Sequence, residues 1–203
     1  MIVLSIETST TCGSIALRCD GDCIFAQNFT SERSHNSQIF APLGEALELA
    51  TPTLVVVGTG PGSYTGARIG IAAGIGISLT HGARLIGLPS VIAAQGISSY
   101  HLVGDARRRR YFFAEVAERQ LVSPPELIDR ETLDRRLAGD DHRWISFDAD
   151  PPAPGIGTSR PDAGVLAELA AALSEPEIET LNSTPVVPHY MSAPFVTKAK
   201  KRV

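Results

Sequence analysis

Two short segments combine residue types that bind phosphate or metal ions in other proteins. The first is Glu7-Thr8-Ser9-Thr10, an acidic residue followed by three hydroxyl side chains. Such a group at the end of a strand could hold a metal-bound phosphate, or its hydroxyls could satisfy backbone groups of the turn. The second is the glycine-rich stretch 58–66, GTGPGSYTG. Its N–H groups could bind an anion before a helix, or the stretch could simply be a tight strand-to-helix turn.

The local motifs of the common catalytic sites do not occur in this sequence. Lysine is confined to positions 198, 200 and 201, so the glycine-rich stretch cannot be a Walker P-loop. Ser63 stands where a dinucleotide fingerprint needs its third glycine. The histidines at 35, 81, 101, 142 and 189 form no i, i+4 pair for zinc, and no GxSxG elbow exists. A triad assembled from distant residues stays open, but we expect neither catalysis nor a bound metal from the chain alone.

A mixed α/β lobe is expected to position both segments. The β-branched run at 2–7 predicts a buried strand, and Asp20-Gly21 predicts a hairpin between the two strands that follow. Pro42 lies inside a helical pattern that Ser34 could cap, which predicts a kink or a later helix start. The predicted elements are strands at 2–7, 14–18, 23–29, 54–57 and 84–86, and helices at 34–50 and 66–80.

A second, more highly charged lobe is predicted after about Ser98, which gives an N-terminal domain at 1–98 and a C-terminal domain at 99–203. Arg107–Arg110 are predicted to form a surface turn between its first two strands, with contact to nucleic-acid phosphates as the alternative. The tail from Thr184 is rich in proline and has no periodicity. The predicted elements are strands at 101–105, 111–116 and 144–147, and helices at 131–137 and 162–173.

The second predicted helix carries a row of small residues at i, i+4 spacing, formed by Gly66, Gly70, Gly74 and Ser78. We call this row the glycine ridge. Each glycine inside a helix costs about 1 kcal/mol relative to alanine, so another backbone should pack closely against the ridge. Spacing alone leaves open whether that neighbour is internal or a second protein.

Composition limits the partners and the cellular compartment that we expect for the protein. The formal net charge of -4 argues against general binding to nucleic acid or anionic membranes. Cys12, Cys19 and Cys23 form no CxxC pair and are expected to be free thiols. The N-terminus lacks the basic region of a signal peptide, and the longest apolar stretch, 69–79, is short of the roughly 20 residues that span a bilayer. We therefore expect a cytoplasmic protein without membrane contact.

Four segments in this order resemble the TsaB family, also called YeaZ, within the actin/Hsp70/sugar-kinase superfamily. They are IVLSIETSTTCGSIAL, ERSHNSQIFAPLGEAL, GTGPGSYTGARIGIAAGIGISL and DARRRRYFFAEV. The clear resemblance covers residues 1–116. It implies an α/β fold with two actin-like lobes, each with a ribonuclease-H-like core. The short connection after Leu49 and the pair Met191-Ser192 depart from the family's usual pattern.

The resemblance also implies a paralogue, TsaD, that performs the chemistry. TsaD-like proteins bind a catalytic metal through two histidines four residues apart, and the corresponding positions here are Ser90 and Ala94. Neither side chain ligates a metal as imidazole does, so the resemblance implies a pseudo-enzyme partner.

The function implied by the resemblance is a non-catalytic scaffold. It would dock on TsaD and, with the ATPase TsaE, support transfer of a threonylcarbamoyl group to the adenosine beside the anticodon of tRNA. ATP or ADP is expected only at the assembled complex, and the isolated chain is expected to form homodimers. The alternatives are an autonomous ATPase or kinase of the superfamily and a peptidase-like protein. An interprotein four-helix bundle is expected to use the glycine ridge and the helix before it, through His35, Ile39, Leu43, Gly66, Ile69, Gly70, Ala73, Gly74, Ile77 and Ser78.

Overall fold

A five-stranded mixed sheet forms the core of the first half of the chain. The computed structural model describes residues 1–30, 38–139 and 142–191. The strand order in this sheet is β3-β2-β1-β4-β5. The first three strands are antiparallel neighbours, whereas β1, β4 and β5 run parallel. The strands are β1 (Ile2–Glu7), β2 (Cys12–Cys19), β3 (Asp22–Thr30), β4 (Leu54–Gly58) and β5 (Arg84–Leu88).

Both faces of this sheet are covered. Successive strand side chains point to opposite faces, so Leu4 and Val57 belong to one apolar core and Val3 and Val56 to the other. The first core is closed by helices α1 (Phe40–Leu49) and α2 (Tyr64–His81). The second is closed by two helices from the far end of the chain, α4 (Ala163–Ala172) and α5 (Glu175–Asn182).

Helix α1 starts at Phe40, directly after a break at Ile39, and Gln38 before this break is also helical. An interruption here agrees with the kink or later start that Pro42 predicts, because Pro42 then lies in the first turn of α1, where the helix needs no backbone N–H donor. The predicted cap at Ser34 lies outside the described residues. Helix α2 starts at Tyr64, two residues before the predicted start, because the Ser63 hydroxyl accepts a hydrogen bond from the N–H of Gly66 at 3.1 Å and caps it.

A second sheet occupies the other half of the chain in the order β11-β10-β6-β7-β8, with β9 also paired to β7. Helix α3 (Arg130–Ala138) follows β9, and a 3-10 turn at Ser90–Ile92 links the two sheets in sequence. The strands are β6 (Tyr100–Asp105), β7 (Arg110–Ala117), β8 (Gln120–Leu121), β9 (Glu126–Asp129), β10 (Trp144–Ser146) and β11 (Gly157–Thr158). Two mixed sheets with packed helices confirm the predicted α/β class.

Helix α4 is fixed to the first sheet by two buried serines. The Ser5 hydroxyl donates to the carbonyl oxygen of Ala163 at 2.5 Å, and the Ser14 hydroxyl accepts from the Ala163 N–H at 2.9 Å. These bonds satisfy both backbone groups of the first residue of the helix, so strands near the start of the chain and a helix near residue 163 form one packed unit.

Helix α5 is absent from the sequence prediction. Its composition, EPEIETLN, is polar, and only Ile178 is buried in it, so the apolar periodicity is too weak to reveal it. A usable signal was nevertheless present, since Ser174 is followed three residues later by Glu177. The Glu177 carboxylate accepts the Ser174 N–H at 2.7 Å, as in a capping box.

Candidate functional site

The predicted phosphate-site residues lie where the three parallel strands end. Glu7 ends β1, Gly58 ends β4, and Ser90 follows β5. The Glu7 carboxyl is fully buried, and its Oε2 fills the space over Gly58, where any β-carbon would collide with it. Glycine is therefore required at position 58 to accommodate the acid. Burial raises the pKa of Glu7 above its ordinary value of 4.5, an effect opposed in part by hydrogen bonding to Ser9 and Ser90.

Two of the three hydroxyls after Glu7, those of Thr8 and Thr10, form hydrogen bonds inside the protein. Thr8 Oγ1 donates to the carbonyl oxygen of Gly66 at 2.8 Å, and Thr10 Oγ1 donates to that of Cys12 at 2.9 Å. The Ser9 N–H donates to Glu7 Oε1 at 2.6 Å. This geometry supports the alternative in which these side chains satisfy the turn and hold the start of α2 on the sheet.

The glycine-rich stretch is held against the same strand ends. The Ser63 N–H donates to the carbonyl oxygen of Ser9 at 2.5 Å, and the Gly60 N–H donates to Ser90 Oγ at 2.9 Å. A β-carbon on Gly62 would collide with the Ser9 carbonyl oxygen. The close approach of two backbones explains the glycine there, and it makes the stretch a packed strand-to-helix turn.

The two positions that the resemblance aligns with the metal ligands of TsaD both make internal hydrogen bonds. Ser90 accepts the Gly60 N–H, and the Ala94 N–H donates to the Tyr100 hydroxyl at 3.2 Å. Within residues 1–30, 38–139 and 142–191, no group of three or more His, Cys, Asp or Glu side chains is placed to hold a metal ion.

The glycine ridge faces the protein's own sheet, which corrects its assignment to a docking surface. A β-carbon on Gly70 would collide with Thr8 Oγ1, and one on Gly74 would lie 2.6 Å from Val57 Cγ1 and 3.2 Å from Leu85 Cδ1. Gly66 is likewise buried, and the Ser78 hydroxyl donates to the carbonyl oxygen of Ala83 at 2.6 Å. The backbone that the ridge approaches is therefore internal.

The opposite side of α2 forms an open apolar groove with α1, with a volume of about 730 Å³. We call it the α1–α2 groove. Two positions along a helix correspond to about 200°, so Ala72 and Gly76 point away from Gly70 and Gly74. A β-carbon on Gly44 or Gly76 would meet no other atom within 4 Å. The groove is lined by Ile39, Phe40, Leu43, Gly44, Leu47, Tyr64, Thr65, Arg68, Ile69, Ala72, Ala73, Gly76 and Ile77.

Half of the predicted interface residues line this groove: Ile39, Leu43, Ile69, Ala73 and Ile77. Gly66, Gly70, Gly74 and Ser78 do not, and His35 lies outside the described residues. The sequence analysis missed the more exposed members, among them Phe40 with 66% of its surface exposed. Ala72 and Gly76 form a second row of small residues, which was a usable signal for this face. Because α2 is apolar on nearly every side, however, its periodicity could not show which face is buried and which is exposed.

The arginine-rich turn joins β6 to β7, as predicted, and its side chains are exposed. The Arg107 N–H donates to Asp105 Oδ1 at 2.7 Å, and the Arg110 guanidinium donates to the carbonyl oxygen of Leu127 at 3.3 Å. Arg107, Arg108 and Arg109 have φ angles of 70°, 55° and 60°, in the left-handed region that L-residues seldom adopt. Contact of this turn with tRNA stays an untested alternative to a purely structural role.

Among the described residues, no helix combines the length and the apolar character needed to cross a bilayer.

Comparisons with known proteins agree with the fold. Residues 30–119 match the family model described as TsaD, tRNA N6-adenosine threonylcarbamoyltransferase. Two Pseudomonas aeruginosa structures superpose on the chain. One is YeaZ, with a TM-score of 0.69, 20% identity and coverage of 93% of this chain and 99% of that one. The other is an uncharacterized protein with similarity to peptidase YeaZ, with a TM-score of 0.71, 18% identity and coverage of 94% and 99%.

Two curated relatives are both named tRNA threonylcarbamoyladenosine biosynthesis protein TsaB. The Haemophilus influenzae protein is 30% identical over 137 residues, which are 61% of this chain but only 57% of that relative. The Escherichia coli K12 protein is 33% identical over 168 residues, 72% of this chain and 70% of the relative. On this extent of similarity, the chain belongs to the TsaB family.

Proposed function

We propose that this protein is a non-catalytic scaffold subunit in the biosynthesis of N6-threonylcarbamoyladenosine in tRNA, and that it docks on TsaD. The observation that carries the proposal is the α1–α2 groove, an apolar surface exposed on two adjacent helices. The names of the curated relatives support the pathway, and the match to a TsaD family model supports descent from a common ancestor with that transferase.

The groove has the properties of a helix-docking surface. Phe40 keeps 66% of its surface exposed, and burying that surface under a partner would contribute about 1–2 kcal/mol. Ile75 and Leu79 extend the same face of α2 and are 41% and 80% exposed. Gly44 and Gly76 have open space above them, which allows a partner helix to approach both backbones closely. Amphipathic helices bind such grooves through apolar side chains at helical spacing.

The chemistry is assigned to TsaD, with TsaE and tRNA joining in the assembled complex and ATP or ADP acting there. The internal packing at Glu7, Ser9 and Ser90 supports this division, because these groups brace the turn before α2. A scaffold with a rigid strand-to-helix turn would hold α2 in a fixed orientation for docking.

Reconstitution tests the proposal directly. TsaD and TsaE of the same organism are supplied with threonylcarbamoyl adenylate as the donor, from which AMP leaves, and are assayed for threonylcarbamoylation of tRNA with and without this chain. We expect efficient modification only with it. The chain alone should release phosphate from ATP no faster than buffer. Equal modification without the chain would contradict the scaffold role, and ATP hydrolysis by the chain that Glu7→Gln abolishes would favour the autonomous ATPase.

The docking surface is tested by a matched pair of truncations. Phe40→Ala removes an exposed side chain of the groove, whereas Val122→Ala removes one that is 56% exposed after β8, away from the groove. Phe40→Ala should weaken binding to TsaD at least about fivefold, since the lost burial amounts to about 1–2 kcal/mol. Val122→Ala should leave the affinity unchanged. If both variants bind TsaD like the wild type, the interface lies elsewhere.

A further inference from the structure

Two tyrosines and an arginine form a compact cluster at one end of the α1–α2 groove. The rings of Tyr64 and Tyr190 stack with centroids 4.8 Å apart and an angle of 28° between planes. The Arg68 guanidinium lies 3.9 Å from the centroid of Tyr64. Its Nε donates to the Tyr190 hydroxyl at 2.7 Å. Tyr64 and Arg68 line the groove, and both tyrosines are partly exposed, at 42% and 39%.

The segment after α5 supplies the third member of this cluster. It runs back across the end of the first sheet, where Val186 packs over Gly87 and the His189 N–H donates to the carbonyl oxygen of Thr59 at 2.8 Å. These contacts place Tyr190 beside the first turns of α2, more than a hundred residues away in sequence. The cluster is thus formed by tertiary contacts between α2 and the segment after α5.

Arg68 is oriented but has no counter-charge. Among the described residues, its two terminal nitrogens have neither a hydrogen-bond acceptor nor a carboxylate within ion-pair distance. Its side chain is already confined by the two rings and the hydroxyl, so little further conformational entropy is lost when it binds a ligand. A guanidinium held in this way presents its terminal N–H groups as a fork that matches a carboxylate.

We propose that Tyr64, Arg68 and Tyr190 form a carboxylate-binding end of the α1–α2 groove, which pairs with an aspartate or glutamate on the helix that TsaD docks there. The inference rests on the proposed function and adds to it a polar contact that sets the register of docking. Apolar side chains alone bind a groove with little preference for position, whereas a charge pair at one end fixes the orientation.

The groove's own composition favours a different protein over a second copy as the source of the carboxylate. In a two-fold symmetric dimer the same surface meets itself. Among the described residues that line the groove, Arg68 is the only charged one. Glu45 lies on another face of α1, and Glu48, one turn beyond Gly44, is not part of the lining. The described lining residues of a second copy would therefore offer Arg68 no carboxylate.

Binding of TsaD by isothermal calorimetry at several salt concentrations tests the inference. Arg68→Gln should lower the affinity at least about fivefold and flatten its salt dependence, because a rim charge pair is lost. Arg68→Lys should recover only part of the affinity, since an ammonium lacks the fork. Tyr190→Phe keeps the stack but removes the hydroxyl, so it should weaken binding to a smaller extent and have no further effect when combined with Arg68→Gln. Arg109→Gln, at the tip of the β6–β7 turn, is the matched control and should bind normally.

The outcomes separate the two proposals. If Arg68→Gln binds TsaD with wild-type affinity and salt dependence while Phe40→Ala binds weakly, the carboxylate inference is overturned and the docking surface stands. If the wild-type chain has no affinity for TsaD, the proposed function itself fails. If Arg68→Gln weakens self-association in sedimentation but not TsaD binding, the cluster serves the homodimer and the inference is also overturned. Unchanged thermal unfolding of each variant confirms that the effects arise at the surface.

Discussion

Gly74 and Gly76 lie two residues apart on α2, and replacing each with alanine should have opposite effects on stability. A β-carbon on Gly74 would lie 2.6 Å from Val57 Cγ1 and 3.2 Å from Leu85 Cδ1, whereas one on Gly76 meets nothing within 4 Å. Alanine stabilises either helical position by about 1 kcal/mol relative to glycine. At Gly74 this gain is set against overpacking of about 1–3 kcal/mol, since carbon atoms prefer about 3.5–4.0 Å and the β-branched Val57 side chain cannot rotate freely.

The propensity gain is common to both variants and cancels when they are compared. We therefore expect the free energy of unfolding of Gly76→Ala to be about 1–3 kcal/mol higher than that of Gly74→Ala. The larger side chain of Gly74→Leu should lower the free energy of unfolding by at least about 3 kcal/mol relative to the wild type. For a chain of this size each kcal/mol shifts the unfolding temperature by about 2–4 °C. Urea and thermal unfolding are measured at concentrations where the chain is monomeric, because binding at the groove would add its own stabilisation. Equal shifts for both alanine variants, or a less stable Gly76→Ala, would refute the packing of the glycine ridge described above.

Three further predictions concern the strand-end cluster and the arginine-rich turn. Burial raises the pKa of Glu7 in the folded state, so the fold loses stability relative to the unfolded chain as the pH rises from 4.5 to the folded-state pKa, where the unfolded chain releases this proton more readily. Glu7→Gln should therefore unfold at a higher temperature than the wild type at pH 7, with the gap closing below about pH 4.5; a gap that does not change with pH would argue against a raised pKa of Glu7. Arg109→Gly should raise the free energy of unfolding by about 0.5–1 kcal/mol, because glycine adopts the observed φ of 60° without strain. Arg109→Ala with Arg110→Ala should leave the salt slope of tRNA binding by the full complex unchanged, whereas a slope lower by about 0.9 per arginine would indicate phosphate contacts.

The elements of the first sheet were predictable because each carries a strong local signal. Buried parallel strands read as β-branched runs, as in 2–7 and 54–57, and Asp20-Gly21 marks the hairpin between β2 and β3. The break in the helical pattern just before Phe40 could be predicted from Pro42 alone. The weakly apolar elements β8, β9, β11 and α5 were missed, because their stability comes from pairing with β7, β10 and the first sheet and not from their own composition.

The site was predictable only in part, because its defining contacts are between distant segments. Sequence spacing identified the glycine ridge, and the cost of glycine inside a helix indicated that another backbone packs closely against it. The identity of that neighbour depends on Val57 and Leu85, which lie on strands before and after α2. Periodicity gave no signal for Tyr190, since the segment that carries it is not periodic and reaches α2 through contacts with Thr59 and Gly87.

The four glycines of α2 differ in what compensates their helix-propensity cost. Together they cost about 4 kcal/mol relative to alanine, so α2 depends on tertiary packing to stay helical. Gly70 and Gly74 are compensated within the chain, because they let α2 lie close against β1 and β4, and Gly66 is buried in the first turn of the helix. Gly76 has no such neighbour among the described residues. Its cost is offset only when another backbone occupies the groove, and a local penalty without an internal gain is what a contact site for a partner should have. The stability of Gly76→Ala and its affinity for TsaD should therefore change in opposite directions.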